Sequence, residues 1–192
     1  MHLRRFLIPI LLPTLLIVSI GAIHLYRTEV RTEVDRFIET VSFPFKLARL
    51  LAEPAPPEIL MPVEGARVRS VADTWGGARP DGRSHEGQDI FAARGTPIRP
   101  AARGYIVRVG ENTLGGKVVF ILGSGARGYY YAHLDGFGPA ATIGSFVETE
   151  DVIGYVGNTG NAERTSPHLH FGVYQDGEPV NPLPLLIDRS PP

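Results

Sequence analysis

The sequence contains no cysteine among its 192 residues. This absence excludes disulfide-stapled scaffolds, thiolate zinc sites and cysteine nucleophiles. An excess of charge of one sign is also missing, since 19 basic residues face 20 acidic ones and the net charge is -1. Domains that bind nucleic acid carry a basic surface that neutralises phosphates, so this balance argues against a nucleic-acid partner. With 22 glycines and 17 prolines, the chain instead predicts a globular fold of short strands and many turns.

An uncharged, mostly apolar run extends from Phe6 to Ile23, directly after Arg4 and Arg5. As a helix this run would be about 27 Å long, just enough to cross a bilayer. It exceeds the apolar core of about 7 to 15 residues that is usual in cleaved signal peptides. We therefore interpret residues 1–26 as an N-terminal transmembrane helix, with a cleaved signal peptide as the alternative. Basic residues flank both ends, so charge leaves the orientation open.

The next segment, residues 27–57, predicts a helical stalk followed by a Pro-rich linker. Apolar residues recur at three- and four-residue steps from Val30 to Phe45, which is typical of an amphipathic helix that Pro44 ends or kinks. Its apolar face could pack on its own domain, form a dimer or lie on a membrane, and the oligomeric state stays open. Residues 53–57 are rich in proline, which favours extended backbone, and we place the domain boundary there.

From Glu58 onward, short β-type runs alternate with Gly, Pro, Asn and Asp. Loops such as 110–112 and 135–136 separate these runs, and no amphipathic helix of useful length interrupts them. The pattern predicts a mainly β fold over 58–188, an antiparallel β-sandwich or open barrel-like sheet, with 189–192 as a tail. The predicted strands are Gly104–Val109, Lys117–Leu122, Tyr129–Leu134, Val152–Val156 and His168–Tyr174.

Four of the six histidines lie in this β region, where strand alternation assigns their faces. In the strand that starts at His168, the alternate apolar residues face the core. His168 and His170 then lie side by side on the opposite face, together with Tyr174. The same alternation in the preceding strand places His133 on one face with Tyr131.

His85 and Asp89 are four residues apart, which is about 13 Å in a fully extended chain. Zinc bonds to nitrogen and oxygen are only about 2.0 to 2.2 Å long, so both residues can bind one ion only if the chain bends. Gly87 lies midway and can supply that bend. Two histidines, one carboxylate and an open position for water are typical of a catalytic zinc site. Non-haem iron oxygenases use the same donor set and are an alternative here.

Four segments carry a resemblance to a known family when they are taken together and in this order. They are Ser84–Ile90 (SHEGQDI), Tyr131–Leu134 (YAHL), Val152–Gly160 (VIGYVGNTG) and Pro167–Phe171 (PHLHF). As a set they resemble the lysostaphin or LytM-type zinc endopeptidases, which cut peptidoglycan cross-links. The resemblance covers roughly residues 60–187.

The resemblance implies a role for each residue of the site. His85, Asp89 and His170 are expected to bind Zn2+, while His133 and His168 are expected to form the catalytic pair beside the metal. One of the pair, His168 by preference, would accept a proton from water. The other would stabilise the oxyanion or protonate the leaving amine. The residues expected to bind substrate are Arg83, Tyr131 and Asn158.

Two features depart from the family's common form. Gln88 stands where a small aliphatic residue usually precedes the aspartate, and residues 163–166 replace a more glycine-rich lead into the PHLH segment. Both are expected to border the groove and so to affect peptide specificity. Glu86 is interpreted as solvent-facing, because it lies outside an HExxH helix.

The resemblance therefore predicts a zinc metalloendopeptidase that hydrolyses peptide cross-links of bacterial peptidoglycan. This substrate lies outside the cytoplasmic membrane, so we expect a single-pass protein with its catalytic domain in the periplasm or outside, or alternatively a secreted protein. The alternative function is a non-catalytic module that activates another wall hydrolase. Such a module would be expected to lack one or more of the five site residues, and all five are present. An iron oxygenase would leave His133 and His168 without a role.

Overall fold

The computed structural model describes residues 31–33, 35, 42–78 and 82–189. The predicted membrane anchor at 1–26 lies outside the described residues. Within the described ranges, no helix is long and apolar enough to cross a membrane. Part of the predicted stalk is helical, at 31–33, 35 and 42–52, and the helix continues past Pro44.

Residues from Leu47 onward form one compact unit with the β region. The Pro-rich segment packs on that unit through two arginines. Arg103 Nη2 lies 2.9 Å from Glu53 Oε2, and Arg127 Nη1 donates to the carbonyl oxygen of Pro56 at 2.6 Å. The Pro-rich segment thus belongs to the compact unit that begins at Leu47.

The strands confirm a mainly β fold built on an antiparallel sheet. In the larger sheet the main strand order is β10-β9-β6-β5-β4-β7, with β2 paired to β9 and β8 paired to both β3 and β6; β1 and β11 form a separate parallel pair. Within the described residues the strands are β1 Ile59–Leu60, β2 Gln88–Phe91, β3 Pro97–Ile98, β4 Gly104–Asn112, β5 Gly116–Gly123, β6 Gly128–Phe137, β7 Phe146–Val147, β8 Gly154–Val156, β9 His168–Gln175, β10 Glu178–Val180 and β11 Leu186–Ile187.

The strand ends differ from the predicted loops. Residues 110–112 belong to β4 and residues 135–136 to β6. The β4–β5 connection is tight because Asn112 Oδ1 accepts hydrogen bonds from the backbone N–H groups of Leu114 and Gly115, at 3.1 and 2.7 Å. Because the Asn112 side chain satisfies these N–H groups, the turn is short, and β4 continues to Asn112 before β5 begins at Gly116.

The core lies on one face of β9 and the candidate site on the other. Leu169, Phe171 and Val173 are fully buried in the hydrophobic core, as the alternation predicts. Arg189, predicted to begin the tail, is instead fixed to the core wall: its guanidinium donates to the carbonyl oxygens of Met61, Pro100 and Thr149. These bonds hold the chain at Arg189 against the β region.

Candidate metal centre

Strand register brings the candidate ligands together. β9 lies between β2 and β6, and its residue His170 pairs with Asp89 on one side and with Ala132 on the other. Directly paired residues in an antiparallel sheet have Cβ atoms about 4.5 to 5.5 Å apart. The side chains of Asp89 and His170 are therefore neighbours because of backbone pairing alone.

Three side-chain atoms converge on one point. His85 Nε2 lies 2.8 Å from His170 Nδ1 and 3.0 Å from Asp89 Oδ1, and His170 Nδ1 lies 3.1 Å from the same oxygen. His85 and Asp89, which would be far apart in an extended chain, thus meet through the bend that the spacing requires. The three residues form a group able to hold one metal ion.

The loop before β2 orients His85. The His85 backbone N–H donates to Gly77, and the Gly76 N–H donates back to the carbonyl of His85, both at 2.9 Å. His85 Nδ1 lies 2.7 Å from the carbonyl oxygen of Thr74. A carbonyl can only accept, so Nδ1 carries the proton and Nε2 presents its lone pair to the centre.

The three donors fit a zinc ion. Tetrahedral zinc with bonds of about 2.0 to 2.1 Å separates its ligand atoms by about 3.3 Å. The atoms found here are 2.8 to 3.1 Å apart, so an outward shift of a few tenths of an ångström gives that geometry. Two imidazole nitrogens and one carboxylate oxygen also match the donor set of catalytic zinc sites.

Gly87 makes room for the His170 ring. Its φ lies outside the left-handed region, so conformational freedom is not what this position requires. A Cβ added at Gly87 would lie 2.7 Å from Cε1 and 2.9 Å from Nε2 of His170, and 2.8 Å from the carbonyl oxygen of Phe171. Contacts this short do not occur in relaxed structures, and one of them involves backbone. The glycine therefore acts through its missing side chain.

We expect Gly87→Ala to lower zinc affinity by at least about tenfold, because the methyl group displaces a ligand ring that must stay aligned with two other donors. Competition against a chromogenic chelator measures this affinity. Gly110→Ala is the matched control, since a Cβ there meets nothing within 4 Å. Equal affinities for the two variants would contradict the packing role of Gly87.

His133 lies on a different face from the one predicted. Tyr131 points into the core and is fully buried, whereas His133 lines a groove together with Tyr130 and Ala132. The reason is the left-handed backbone of His133, whose φ is 63°. The register of β6 shifts against β5 between Tyr131 and Leu134, and against β8 between Leu134 and Gly136. Such a bulge reverses the alternation and turns the imidazole toward the metal centre.

The two further histidines stand beside the ligands. The ring of His133 lies with its centroid 5.0 Å from that of His168 and 5.8 Å from that of His170. His133 Nδ1 bonds the carbonyl oxygen of Thr159 at 2.9 Å, and His168 Nδ1 bonds that of Ser166 at 2.8 Å. Both Nδ1 atoms therefore carry protons, which leaves Nε2 of each neutral ring as the proton acceptor.

Burial, together with the nearby imidazoles of His170 and His168, lowers the pKa of His133 from its ordinary value of 6.5 to about 4. The folded chain therefore binds fewer protons than the unfolded chain between these values. It follows that the free energy of unfolding falls as the pH drops from about 6.5 toward 4.

We expect the metal-free variant His133→Asn to lose about 1 to 2 kcal/mol less of this free energy than the parent chain between pH 7 and pH 5. Asparagine tolerates left-handed backbone, so the substitution keeps the local fold. Urea unfolding at the two pH values measures the difference. An identical pH dependence for both chains would show that His133 does not resist protonation.

The centre opens into a groove of about 890 Å³. Arg83 and the exposed Glu86 are among the residues that line it. Tyr131 does not line it, which corrects that assignment: the Tyr131 hydroxyl accepts a hydrogen bond from the Ala101 N–H inside the core. The aromatic residues that line the groove are Phe91, Phe120, Tyr130 and Tyr174.

Asn158 holds the loop at residues 163–165. Its Nδ2 donates to the carbonyl oxygens of Glu163 and Thr165 at 3.1 and 3.2 Å, and its Oδ1 accepts from Arg94. Asn158 itself is not among the residues that line the groove. It therefore shapes the 163–165 loop instead of meeting a ligand there.

Residues 83–182 match the family model described as Peptidase family M23. The chain belongs to peptidase family M23. The matched range extends from Arg83 to Pro182 and contains all five histidine and aspartate residues of the centre. The structure thus describes the whole of the M23 region.

A curated relative supports the membership. The L-Ala–D-Glu endopeptidase of Bacillus subtilis is 40% identical over 114 residues, which cover 56% of this chain and 35% of the relative. The chain thus matches about a third of that relative's length.

Two solved M23-type structures share the fold. The catalytic domain of the antimicrobial peptidase lysostaphin from Staphylococcus simulans has a TM-score of 0.54 and 27% identity, covering 61% of this chain and 92% of that one. A zinc-containing peptidase from Vibrio cholerae has a TM-score of 0.56 and 25% identity, covering 68% of this chain and 40% of that one.

Proposed function

We propose that this M23 chain is a zinc-dependent metalloendopeptidase that hydrolyses peptide cross-links of bacterial peptidoglycan. One observation carries the proposal: three zinc-type donor atoms converge within 2.8 to 3.1 Å of one another inside an open groove. Two further imidazoles present unprotonated nitrogens beside them. The L-Ala–D-Glu endopeptidase to which the chain is similar supports this substrate class, because wall peptides contain D-amino acids.

The three ligands His85, Asp89 and His170 would hold the ion. When bound, zinc supplies a Lewis acid that polarises a carbonyl and lowers the pKa of water toward neutrality. Asp89 contributes the negative charge, and its Oδ1 faces His85, His170 and the more distant His168. Zn2+ held by one carboxylate and two neutral rings would keep a net positive charge, which suits the attack of water on an amide.

His168 is the general base in this proposal. Its Nε2 lies 3.9 Å from Asp89 Oδ1 and so borders the ligand set without being one of the three converging atoms. Its Nδ1–H is fixed by the carbonyl oxygen of Ser166, which aims Nε2 at the centre. A nitrogen held in this way can accept the proton that water gives up during attack.

His133 is the acid partner. The lowered pKa of His133 keeps the ring neutral before reaction and makes its protonated form a strong acid. Negative charge that develops on the carbonyl oxygen favours protonation of this ring. The proton that His168 takes from water would pass to His133, whose ring lies beside it. The resulting imidazolium would stabilise that charge and give its proton to the leaving amine, which leaves both rings neutral again.

The groove suits an extended peptide. Tyr130, Phe120 and Tyr174 give it aromatic walls, whereas Arg83 and Arg108 place positive charge along it. Cross-linked wall peptides carry free carboxylates, which arginines bind through paired hydrogen bonds. We propose that the chain acts outside the cytoplasmic membrane, with residues 1–26 as its anchor or export signal.

Digestion of intact sacculi tests the proposal. The zinc-loaded full chain is incubated with them, and the released fragments are identified by mass. We expect peptide-bond products that are absent with Asp89→Ala, and their masses name the bond. Products that appear only when a second wall hydrolase is added would favour the non-catalytic activator. Equal products from both chains would overturn the metal-dependent reaction.

A further inference from the structure

The residue next to Asp89 carries a buried polar network. Gln88 lies on β2, and its side chain is fully buried on the side of the strand away from the groove. The expectation that it borders the groove and affects peptide specificity is therefore wrong. A buried amide is costly unless its hydrogen bonds are made.

All four hydrogen-bonding positions of the Gln88 side chain are used. Its Nε2 donates to Asp73 Oδ1 at 2.7 Å and to Asn181 Oδ1 at 3.1 Å. Its Oε1 accepts from both the backbone N–H and the hydroxyl of Thr74, each at 3.0 Å. The backbone N–H of Thr74 can only donate, which fixes the orientation of the amide.

Thr74 passes this restraint to two of the candidate ligands. Its hydroxyl oxygen accepts the backbone N–H of Asp89 at 3.0 Å. Its carbonyl oxygen accepts the Nδ1–H of His85 at 2.7 Å, the bond that turns Nε2 of that ring toward the metal. One threonine thus holds both members of the His85–Asp89 pair.

We infer that Gln88 is a positioning residue of the metal site, which it pre-orders through the Gln88–Thr74 link. This inference rests on the proposed zinc site. Without the amide, Thr74 loses the buried acceptor that fixes its backbone N–H and its hydroxyl, so the residue that holds both ligands is no longer fixed itself. Partners of ligands typically contribute about 10- to 100-fold to metal affinity.

The test compares two pairs of variants of the full chain. Gln88→Met removes the amide, and Gln175→Met is its control, since Gln175 also uses both ends of its amide, with Arg127 and Gly125. Thr74→Val removes the hydroxyl, whereas its control Thr74→Ser keeps the hydroxyl and removes only the methyl group. The readouts are zinc affinity by chelator competition and the visible spectrum of the cobalt-substituted chain, which reports ligand geometry.

We expect Gln88→Met and Thr74→Val to lose about 10- to 100-fold in zinc affinity and to alter the cobalt spectrum, whereas Gln175→Met and Thr74→Ser stay close to the parent. If Gln88→Met does not fold, the threonine pair decides. Parent-like affinity and spectrum in Thr74→Val, or in a folded Gln88→Met, would overturn the inference and leave the proposed function intact. A parent chain that binds no zinc would overturn both.

Discussion

Asp89→Asn is expected to reduce zinc affinity by more than about 100-fold and to abolish wall hydrolysis at ordinary zinc concentrations. Loss of an outer partner of a ligand costs about 10- to 100-fold, so loss of a ligand's charge costs more. The substitution is isosteric, and the carboxylate oxygen it changes lies 3.0 Å from His85 and 3.1 Å from His170. Chelator competition and release of wall peptides measure the two effects.

Asp188→Asn is the matched control. Its carboxylate accepts the backbone N–H of Val68 and lies outside the groove lining. We expect this control to bind zinc and cleave like the parent. Retention of zinc by Asp89→Asn at parent affinity would show that Asp89 is not a ligand.

The second large effect concerns His168. We expect His168→Ala to keep zinc affinity within about threefold of the parent while kcat falls by about 10²- to 10⁴-fold, the usual contribution of a positioned base. Its Nε2 lies 3.9 Å from Asp89 Oδ1, close enough to border the ligands without completing the set of three. Steady-state kinetics on a purified cross-linked peptide, with zinc content measured on the same sample, separate the two quantities.

Ser84→Ala provides the reference for that variant, since Ser84 lines the same groove and has no assigned role in the chemistry. A parallel loss of zinc and kcat in His168→Ala would make His168 a ligand. Unchanged kcat with zinc retained would remove it from the mechanism.

Local pattern predicted the face of the strand that carries His168 and His170, because nothing interrupts its alternation. It failed at His133, where a left-handed backbone and a bulge turn the side chain to the other face. The residues that demand this conformation lie elsewhere: Gly115 accepts the His133 N–H at 2.7 Å, and Thr159 holds the ring. Local alternation could not reveal either contact.

The role of Gln88 was hidden for a similar reason. Its partners Asp73, Thr74 and Asn181 are separated from it by 15, 14 and 93 residues in the chain. From the sequence, a polar residue beside a ligand is expected in the groove, since nothing local shows that it is fully buried. Tyr131 is a second such case: the sequence predicts that this aromatic residue binds substrate, and the structure buries it in the core.

Gly87 shows how one residue can be identified for the wrong reason. Its place between His85 and Asp89 pointed to a bend, and the chain does bend there. The structure shows that the decisive property is space, since a Cβ would lie 2.7 Å from the His170 ring. Only the pairing of β2 with β9 brings that ring into contact.

A zinc titration of the chelator-treated full chain during digestion of sacculi tests the metal-dependent reaction most directly. We expect no peptide release without metal, and recovery that rises with zinc and levels off at one equivalent per chain. Asp89→Asn should show no recovery over the same range. Hydrolysis that proceeds at the same rate without metal, or a zinc-saturated parent chain that releases no peptide, would contradict zinc-dependent hydrolysis of the wall.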